Sequence, residues 1–273
     1  EQAGDPSRAR PYYLAAARTA RERANLAEAE RLYRAYLQLT ERPTVESLEA
    51  SIELTGEVLH IRGRLHEAEQ VGRKALADAR NLGAGTAETR ALIGVAHIVR
   101  DSGRRDEAQH LFEEALAAAK TQGDGNTEGT MVRALAGIFQ ERGQPVEARR
   151  LYEKALRIHR RLGNRREEGI LLDRMGGFDR LVGRVRKAQS RYEEAIAIHR
   201  ETGAREEEAR TMGHLAGLVL DQGRYEEART LFEQSLGLRR NLGNRMLEAH
   251  ALRNLGVTFH GLSRFDEAGT HYE

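Results

Sequence analysis

The apolar residues of this chain recur with helical spacing, and the whole arrangement returns every 40 residues. In residues 206–222 they follow steps of three and four, as on one face of a helix, and residues 224–242 contain a second such stripe. The two stripes consist of Met212, Leu215, Ala216 and Val219, and of Tyr225, Ala228, Leu231, Phe232, Ser235, Leu236 and Leu238. Each copy therefore predicts two helices, here named helix A and helix B. No run of alternating β-branched residues occurs, and no strand is predicted.

Small residues and aromatics mark each copy at fixed places. A glycine takes the left-handed conformation that ends helix A, an alanine comes five residues later, and an aromatic four residues after that. The glycines are Gly63, Gly103, Gly143, Gly183 and Gly223, with Ser263 in the sixth place; the alanines are Ala68, Ala108, Ala148, Ala188, Ala228 and Ala268; the aromatics are Phe112, Tyr152, Tyr192, Phe232 and Tyr272, with Gly72 as the exception. Such a period predicts a stacked array in which each unit packs only against its neighbours.

The ends of the predicted helices carry further signals. A glycine ends helix B, residues of the capping type precede the next helix A, and a proline opens one helix B, where its missing N–H costs nothing. These residues are Gly243 for the end, Asn164, Asn244 and either Asp124 or Asn126 for the caps, and Pro145 for the start.

The alanines have a steric reason. Two helices of a hairpin approach closely only where small residues face each other, and the large aromatics then fill the space between hairpins. Besides the alanines already named, the small positions are Ala136, Gly176, Ala216 and Gly256 on helix A, and Ala115, Ala155, Ala195 and Ser235 on helix B.

The array is expected to occupy residues 11–273, and residues 1–10, with two prolines, to form a linker. Its first unit is the least regular, with Ala24-Asn25 in place of the glycine. Because the last copy stops within a predicted helix, we expect the chain to be a part of a longer protein. The approximate units are 11–43, 46–83, 86–123, 126–163, 166–203, 206–243 and a truncated 246–273.

This pattern resembles the tetratricopeptide repeat. The residues that carry the resemblance are Leu255-Gly256, Ser263, Ala268 and Tyr272, and their copies Leu215-Ala216, Gly223, Ala228, Phe232 and Ser235. That family repeats about every 34 residues, and the extra residues here fit a longer helix B and the Leu-Gly-Asn-Arg turn at 162–165 and 242–245. The variant is similar to the arrays of LGN/Pins scaffolds and of bacterial MalT-type regulators. The resemblance implies an all-α fold, an α-α superhelix of about seven helical hairpins.

The resemblance also implies that helix A lines a concave groove that holds peptides. By register, the groove residues are Arg90, His97, Arg100, Arg133, Gln140, Asp173, Arg174, Arg180, Arg210, His214, His250, Arg253, Asn254 and His260. Arginine predominates among them, which suits an acidic or phosphorylated segment. Pairing of these arginines with glutamates of neighbouring units is the alternative interpretation. Asn254 matches the Asn-Leu-Gly element of LGN-type scaffolds, whereas the earlier copies carry Ala134, Arg174 and His214 there.

The fifth unit departs from the pattern. Asp179 stands where other units have an apolar residue, and Lys187 replaces a recurrent glutamate. A buried aspartate must be paired to avoid a cost of a few kcal/mol. We expect either a local helix shift that exposes Asp179 or a pairing with an arginine; a ligand-contacting break in the array is the alternative.

Charge and composition exclude several classes of partner. With 44 Lys plus Arg against 42 Asp plus Glu, the net charge of +2 predicts neither a nucleic-acid nor a membrane partner. The absence of cysteine excludes disulfides and thiolate zinc sites. With no apolar segment long enough for a membrane span, we expect a cytoplasmic protein. The preference for arginine over lysine suggests a bacterial source.

The sequence contains no recognisable catalytic arrangement. A phosphate loop ending in Lys-Ser or Lys-Thr and a His-Glu-x-x-His pair are both absent. His159 and His199 occupy the same place in adjacent units, which favours an architectural role over metal ligation. The doublets Arg160-Arg161 and Arg239-Arg240 suit the negative end of helix B. We therefore predict no enzyme, no metal and no cofactor.

Three functions remain. The first is a noncatalytic scaffold or sensor module that binds an acidic or extended segment of a protein or peptide, as part of a larger bacterial signalling or regulatory protein. The second is the regulatory arm of an enzyme, such as a nucleotide-hydrolysing switch, a kinase or a protease. The third is self-association through the uncapped last repeat, at Leu255, Phe259, Phe265, Ala268 and Tyr272.

Overall fold

The computed structural model describes residues 6–241 and 245–272, with the backbone alone for 6–8, 245–247, 250, 271 and 272. These residues form fourteen α-helices and no strand, so the predicted all-α class of helical hairpins is confirmed. The helices are α1 (Pro6–Glu22), α2 (Leu26–Gln38), α3 (Val45–Glu53), α4 (Leu65–Asn81), α5 (Gly85–Asp101), α6 (Arg105–Gln122), α7 (Gly125–Glu141), α8 (Pro145–Arg161), α9 (Arg165–Leu181), α10 (Val185–Glu201), α11 (Arg205–Asp221), α12 (Tyr225–Asn241), α13 (Arg245–Gly261) and α14 (Phe265–Tyr272). A π-helical segment, Leu54–Leu59, continues α3.

The chain divides into two compact units, Glu1–Thr127 and Glu128–Glu273. In the first, the hairpins are α1–α2, α3–α4 and α5–α6; in the second, α9–α10, α11–α12 and α13–α14 follow α8. Residues 6–10, expected to belong to a linker, are the first turns of α1. Pro6 opens that helix, where proline is tolerated, and Pro11 lies inside it.

The turns between helices recur every 20 residues. Glycines with positive φ stand at positions 63, 83, 103, 123, 143, 163, 183, 203 and 223. At Gly103, the N–H bonds to Arg100 O (2.8 Å) and the N–H of Arg104 to Val99 O (3.1 Å), as in a Schellman motif. Ser263 (φ 59°) takes the same conformation in the place of the glycine, as does Ala24 (φ 56°). Gly243, predicted to end a helix B, lies outside the described residues.

Two of the predicted caps are confirmed. Asn164 Oδ1 accepts a hydrogen bond from the N–H of Glu167 (3.3 Å), and Asp124 Oδ1 accepts one from Thr127 (3.1 Å). Asp124 is therefore the cap of α7, and its alternative, Asn126, is already helical. Pro145 is at the first position of α8, as predicted. Asn244 lies outside the described residues.

The small residues lie where the two helices of a hairpin meet. The recurrent alanines from Ala68 to Ala268 are at most 3 % exposed, and the described aromatics from Phe112 to Phe232 are also buried. In the hairpin α9–α10, a Cβ at Gly176 would lie 2.8 Å from the ring of Tyr192. No ordinary Cβ fits at that distance, so the ring requires glycine on the facing helix.

Gly72, which stands where the other copies carry an aromatic, packs against the π-helical segment. A Cβ on Gly72 would lie 2.9 Å from Val95 Cγ2 and 3.0 Å from Thr55 Cγ2, and Thr55 belongs to that segment. The side chains of Thr55 and Val95 therefore occupy the space beside α4 at this position. The irregular helix and the missing aromatic form one packing arrangement.

Asp179 is buried and paired with arginine, as one interpretation of the sequence expected. It accepts a hydrogen bond from Arg191 Nη1 and lies 3.7 Å from Arg184 Nη1, within an uninterrupted α9. Arg191 Nη1 also donates to Met175 O (3.2 Å), and burial lowers the Arg191 pKa. By register, Asp179 and Arg191 replace apolar pairs of the neighbouring units, such as Val219 with Leu231. The break in the array, the alternative interpretation, does not occur.

His159 and His199 are fully buried at equivalent places. Each ring packs against a glycine: a Cβ at Gly129 would lie 2.4 Å from His159 Nε2, and one at Gly169 would lie 2.7 Å from His199 Cε1. Neither ring has a hydrogen-bond partner among the described residues. Burial lowers the pKa of both imidazoles, so the folded chain holds them neutral. This agrees with the architectural role predicted for them.

The last hairpin buries most of the apolar residues that were expected to form an exposed edge. Leu255, Phe259 and Ala268 are 1 %, 6 % and 3 % exposed, whereas Phe265 is exposed. The side chain of Tyr272 lies outside the described part of the chain. These three side chains are buried because α13 and α14 pack against each other and α13 packs on α12.

The packing at Ala188 predicts that Ala188→Leu destabilises the protein by about 1–3 kcal/mol or more, because the added atoms have no space. Ala197→Leu on the same helix is the matched control, since Ala197 is exposed, and should change the unfolding free energy by less than about 0.5 kcal/mol. Urea unfolding measures both. Equal stabilities of the two variants would refute the close helix contact.

The pair Asp179–Arg191 predicts a non-additive double mutant. Asp179→Val or Arg191→Leu alone should cost about 3–5 kcal/mol, because each leaves a buried charge without its partner. The double variant carries the apolar residue types of Val219 and Leu231 in the following repeat. Its unfolding free energy should lie within about 1 kcal/mol of that of the parent, or be higher. A urea-unfolding cycle measures the coupling, and additive losses would contradict this pairing.

The buried imidazoles predict acid sensitivity. In the unfolded chain both histidines take up a proton below a pKa of about 6.5, whereas the folded chain resists this. The unfolding free energy should therefore be constant above that pH and fall as the pH decreases below it. The variant His159→Gln/His199→Gln should show a weaker decrease in urea unfolding across the same range. An unchanged pH profile would contradict the neutral burial of these rings.

Candidate binding surface

The A helices are connected by a ladder of side-chain pairs, each joining a residue to one 41 positions later. In the unit Glu1–Thr127, Glu49 pairs with Arg90, and Asp101 accepts from His60 Nε2 (2.8 Å). In the unit Glu128–Glu273, three further pairs form the ladder: Arg166–Glu207 (2.6 Å), Asp173–His214 (2.7 Å) and Arg180–Asp221 (2.6 Å). The offset is one 40-residue repeat plus one residue, which sets each side chain beside the next A helix.

Contacts within the chain, some of them in the ladder, engage many of the residues that the sequence assigned to a groove. In the first unit, Arg90 is paired with Glu49, Arg100 lies 3.0 Å from Asp101, and the His97 ring stands edge-on to Phe112. In the second, Arg133 lies 3.2 Å from Glu167, and Arg210 lies 3.9 Å from Asp173. Intramolecular pairing, the alternative interpretation of these arginines, therefore holds for Arg90, Arg133 and Arg180.

Five of the predicted residues come together in one cleft of about 580 Å³ in the second unit. They are Gln140 of α7, Asp173, Arg174 and Arg180 of α9, and His214 of α11; Gly177, Leu181, Tyr192 and Asp221 complete the lining. Three consecutive A helices thus contribute to the cleft. Arg253 and Asn254, on α13, and His260, whose ring stands edge-on to Phe265, lie outside this lining. The side chain of His250 lies outside the described residues.

One wall of the cleft is a buried carboxylate. Asp173 is 1 % exposed, and its Oδ1 accepts the hydrogen bond from His214 Nδ1. Burial would raise the pKa of Asp173, but the hydrogen bond from His214 and the charges of Arg210 and Arg174 outweigh it and lower that pKa. Asp173 is therefore an anion that orients His214.

Another part of the lining is an arginine that lies across a glycine. Arg180 binds Asp221 through Nε (2.8 Å) and Nη2 (2.6 Å), and Nη2 also donates to Gly217 O (3.4 Å). A Cβ at Gly217 would lie 3.1 Å from Arg180 Nη1. The absence of a side chain at Gly217 therefore lets the guanidinium lie against the backbone of α11.

Two residues of the cleft lining, Gln140 and Tyr192, provide hydrogen-bond donors. Gln140 Oε1 accepts from the hydroxyl of Tyr152 (3.0 Å), so its amide nitrogen remains as a donor. The Tyr192 hydroxyl would lie 3.6 Å from a Cβ at Gly177, and burial raises the Tyr192 pKa, so the hydroxyl keeps its proton. Both groups suit an acceptor such as a carboxylate.

Arg174 interrupts the ladder. The residue 41 positions before it is Arg133, so this step joins two cations where the other steps join a base and an acid. Arg133 lies against Glu167 instead. Arg174 is exposed and forms no ion pair with the described residues. The cleft therefore presents an exposed guanidinium that no ion pair with the described residues occupies.

Sequence reasoning missed Tyr192 and Gly177 as cleft residues. Tyr192 was assigned only to the gap between hairpins, and its ring does fill that gap. The signal that was present is the glycine doublet Gly176-Gly177, because an A helix without side chains at two positions lets the partner ring reach the cleft.

The described residues contain no cluster of three or more metal-binding side chains, and none of their helices is long and apolar enough to cross a membrane. A family model for the tetratricopeptide repeat matches residues 48–121, 127–201 and 207–273. No curated protein sequence matches the chain.

Solved structures with a similar fold include signalling proteins. The apo form of RapI is 16 % identical, with a TM-score of 0.73, and the match covers 96 % of this chain and 94 % of RapI. A Rap protein complexed with competence and sporulation factor is 14 % identical, with a TM-score of 0.65 and coverage of 94 % and 76 %. A signal transduction ATPase with numerous domains and a tetratricopeptide repeat sensor, from Pyrococcus horikoshii, is 18 % identical, with a TM-score of 0.65 and coverage of 89 % and 38 %. At such identities the likeness concerns the fold alone.

Proposed function

Because the chain belongs to the tetratricopeptide repeat family, we propose that it is a noncatalytic scaffold or sensor module that binds a protein or peptide. The ligand is an acidic segment held in the cleft of α7, α9 and α11. The observation that carries this proposal is Arg174, an exposed guanidinium without an ion-pair partner among the described residues, at the one ladder step of the cleft that joins two cations. Guanidinium groups bind carboxylates in paired geometry, which makes a glutamate or aspartate side chain the fitting counterion.

The dimensions of the cleft suit an extended segment. Packed helices lie about 8–10 Å apart, so three consecutive A helices span roughly 16–20 Å between the outer axes. An extended chain rises about 3.3 Å per residue, so five or six residues cover this distance. Gly177 leaves room for a backbone to approach α9. The donors Gln140 and Tyr192 and the cation Arg174 then face one side of the segment.

The similarity to the Rap complex supports a regulatory role, because that protein was solved with competence and sporulation factor bound. We propose that the chain is part of a larger bacterial signalling or regulatory protein. The preference for arginine over lysine supports the bacterial source. The groove residues outside the cleft, Arg253, Asn254 and His260 among them, would contact flanking parts of a longer partner.

A second candidate is the regulatory arm of an enzyme. The observation that favours it is the fold of the ATPase from Pyrococcus horikoshii, which carries a tetratricopeptide repeat sensor and of which this chain matches 38 %. The flanking sequence of the gene decides this candidate: a nucleotide-binding loop or a catalytic dyad in the same reading frame would support it, and an array without such a domain would exclude it.

The charge of Arg174 predicts selective binding of an acidic peptide. An acetylated and amidated hexapeptide of alternating glutamate and glycine should bind, and its glutamine counterpart should not. Arg174→Gln should weaken the binding by about 10- to 100-fold, because it removes a charge-assisted hydrogen bond. Isothermal titration calorimetry measures the affinities.

The matched control is Arg161→Gln, which removes an exposed arginine of α8 outside the cleft. It should leave the affinity within about twofold of the parent, since an exposed charge contributes little at a distance. Equal binding of the glutamate and glutamine peptides, or equal losses in the two variants, would contradict the proposed site.

A further inference from the structure

His214 lines the cleft, and the two nitrogens of its ring have different surroundings. Its Nδ1 lies 2.7 Å from Oδ1 of Asp173, and a carboxylate can only accept, so Nδ1 carries a hydrogen. The side chain of His214 is 43 % exposed, and the residue lines the cleft. Because Asp173 holds Nδ1, the nitrogen left for a ligand in the cleft is Nε2.

The protonation of Nε2 decides what this nitrogen can bind. In a neutral ring with the hydrogen on Nδ1, Nε2 is an acceptor and gives nothing to a carboxylate. In the protonated ring, Nε2–H is a cationic donor, and charge-assisted hydrogen bonds of this kind are short and strong. Histidine is the side chain that changes between these states from about pH 5 to pH 8.

Several charged or titratable groups lie around His214, in the cleft and beside it. On α9 it faces the low-pKa carboxylate of Asp173 and the cation Arg174; on α10 it faces the Tyr192 ring, 6.0 Å away, whose raised pKa keeps it neutral. His199, also on α10, is fully buried with a lowered pKa. Arg180 and Asp221 line the same cleft and are paired with each other, and Arg210 lies 3.9 Å from Asp173.

We propose that His214 is a proton-linked specificity residue of the cleft, which binds a carboxylate of the acidic segment through a protonated Nε2, with Asp173 as its positioning residue. The inference rests on the proposed function of the cleft and adds the condition under which the cleft holds its ligand most tightly. The carboxylate would lie between His214 and Arg174, and Asp173 would stabilise the imidazolium from the buried side.

Proton uptake on binding follows from this arrangement. Glutamate side chains are ionised above about pH 5.5, so a change of affinity above that pH reports the protein and not the peptide. If one proton is taken up on binding, the affinity should fall by up to tenfold per unit as the pH rises through about 6 to 8. A merely structural role of His214 would leave the affinity without such a slope.

The test is calorimetric titration with the glutamate–glycine hexapeptide in two buffers of different ionisation enthalpy, at about pH 6 and about pH 8. The difference between the buffers gives the number of protons taken up. The parent should take up a proton on binding, and His214→Gln should take up none while still offering an amide to Asp173. His110→Gln, which changes an exposed histidine of α6 that belongs neither to the cleft lining nor to the predicted groove, is the matched control and should behave as the parent.

Asp173→Asn tests the positioning residue with little change of shape. Without the carboxylate the imidazolium is less stable, so proton uptake should shift to lower pH while the peptide still binds under acidic conditions. Binding without proton uptake, or uptake that persists in His214→Gln, would overturn this inference and leave the proposed function intact. Absence of binding by the folded parent at both pH values would instead overturn the proposed function itself.

Discussion

The close contact between the two helices of each hairpin is the constraint from which the other features follow. A large ring on one helix lies against a residue on the other that has little or no side chain, as Tyr192 lies against Gly176 and His159 against Gly129. Such contacts fix the rotation of each helix about its axis, because only one face is small enough to meet the partner. The neighbouring face of helix A is then left for the ladder and the cleft.

On the A helices that this packing orients, the ladder pairs give the surface a defined charge pattern. A residue on one A helix meets the residue 41 positions later, so each base needs an acid in the next repeat, and most steps of the ladder supply one. The cleft lies where that complementarity fails, at Arg174. Its neighbours are fixed by groups below the surface: Asp173 orients His214, and Gly217 lets Arg180 lie flat. Buried polar groups of this kind set the positions of the residues that a ligand would meet.

The helices and their ends could be predicted from the sequence, because the period of 40 residues places each glycine, alanine and aromatic in register. The π-helical segment could not be predicted, since it packs into the space that the next helix leaves where Gly72 replaces the aromatic. The site was predicted in part. Register identified the cleft residues Gln140, Arg174 and His214, but pairings such as Arg90 with Glu49 depend on how far one repeat is offset from the next, and no period within the sequence states that offset.

Chemical-shift mapping of the backbone amides with the glutamate–glycine hexapeptide tests most directly whether this surface binds an acidic segment. Binding in the cleft should give the largest shifts at Arg174, Gly177 and His214, on the A helices α9 and α11, with small shifts on the exposed face of α8. Largest shifts on α8, or within Glu1–Thr127, would contradict the cleft as the binding site.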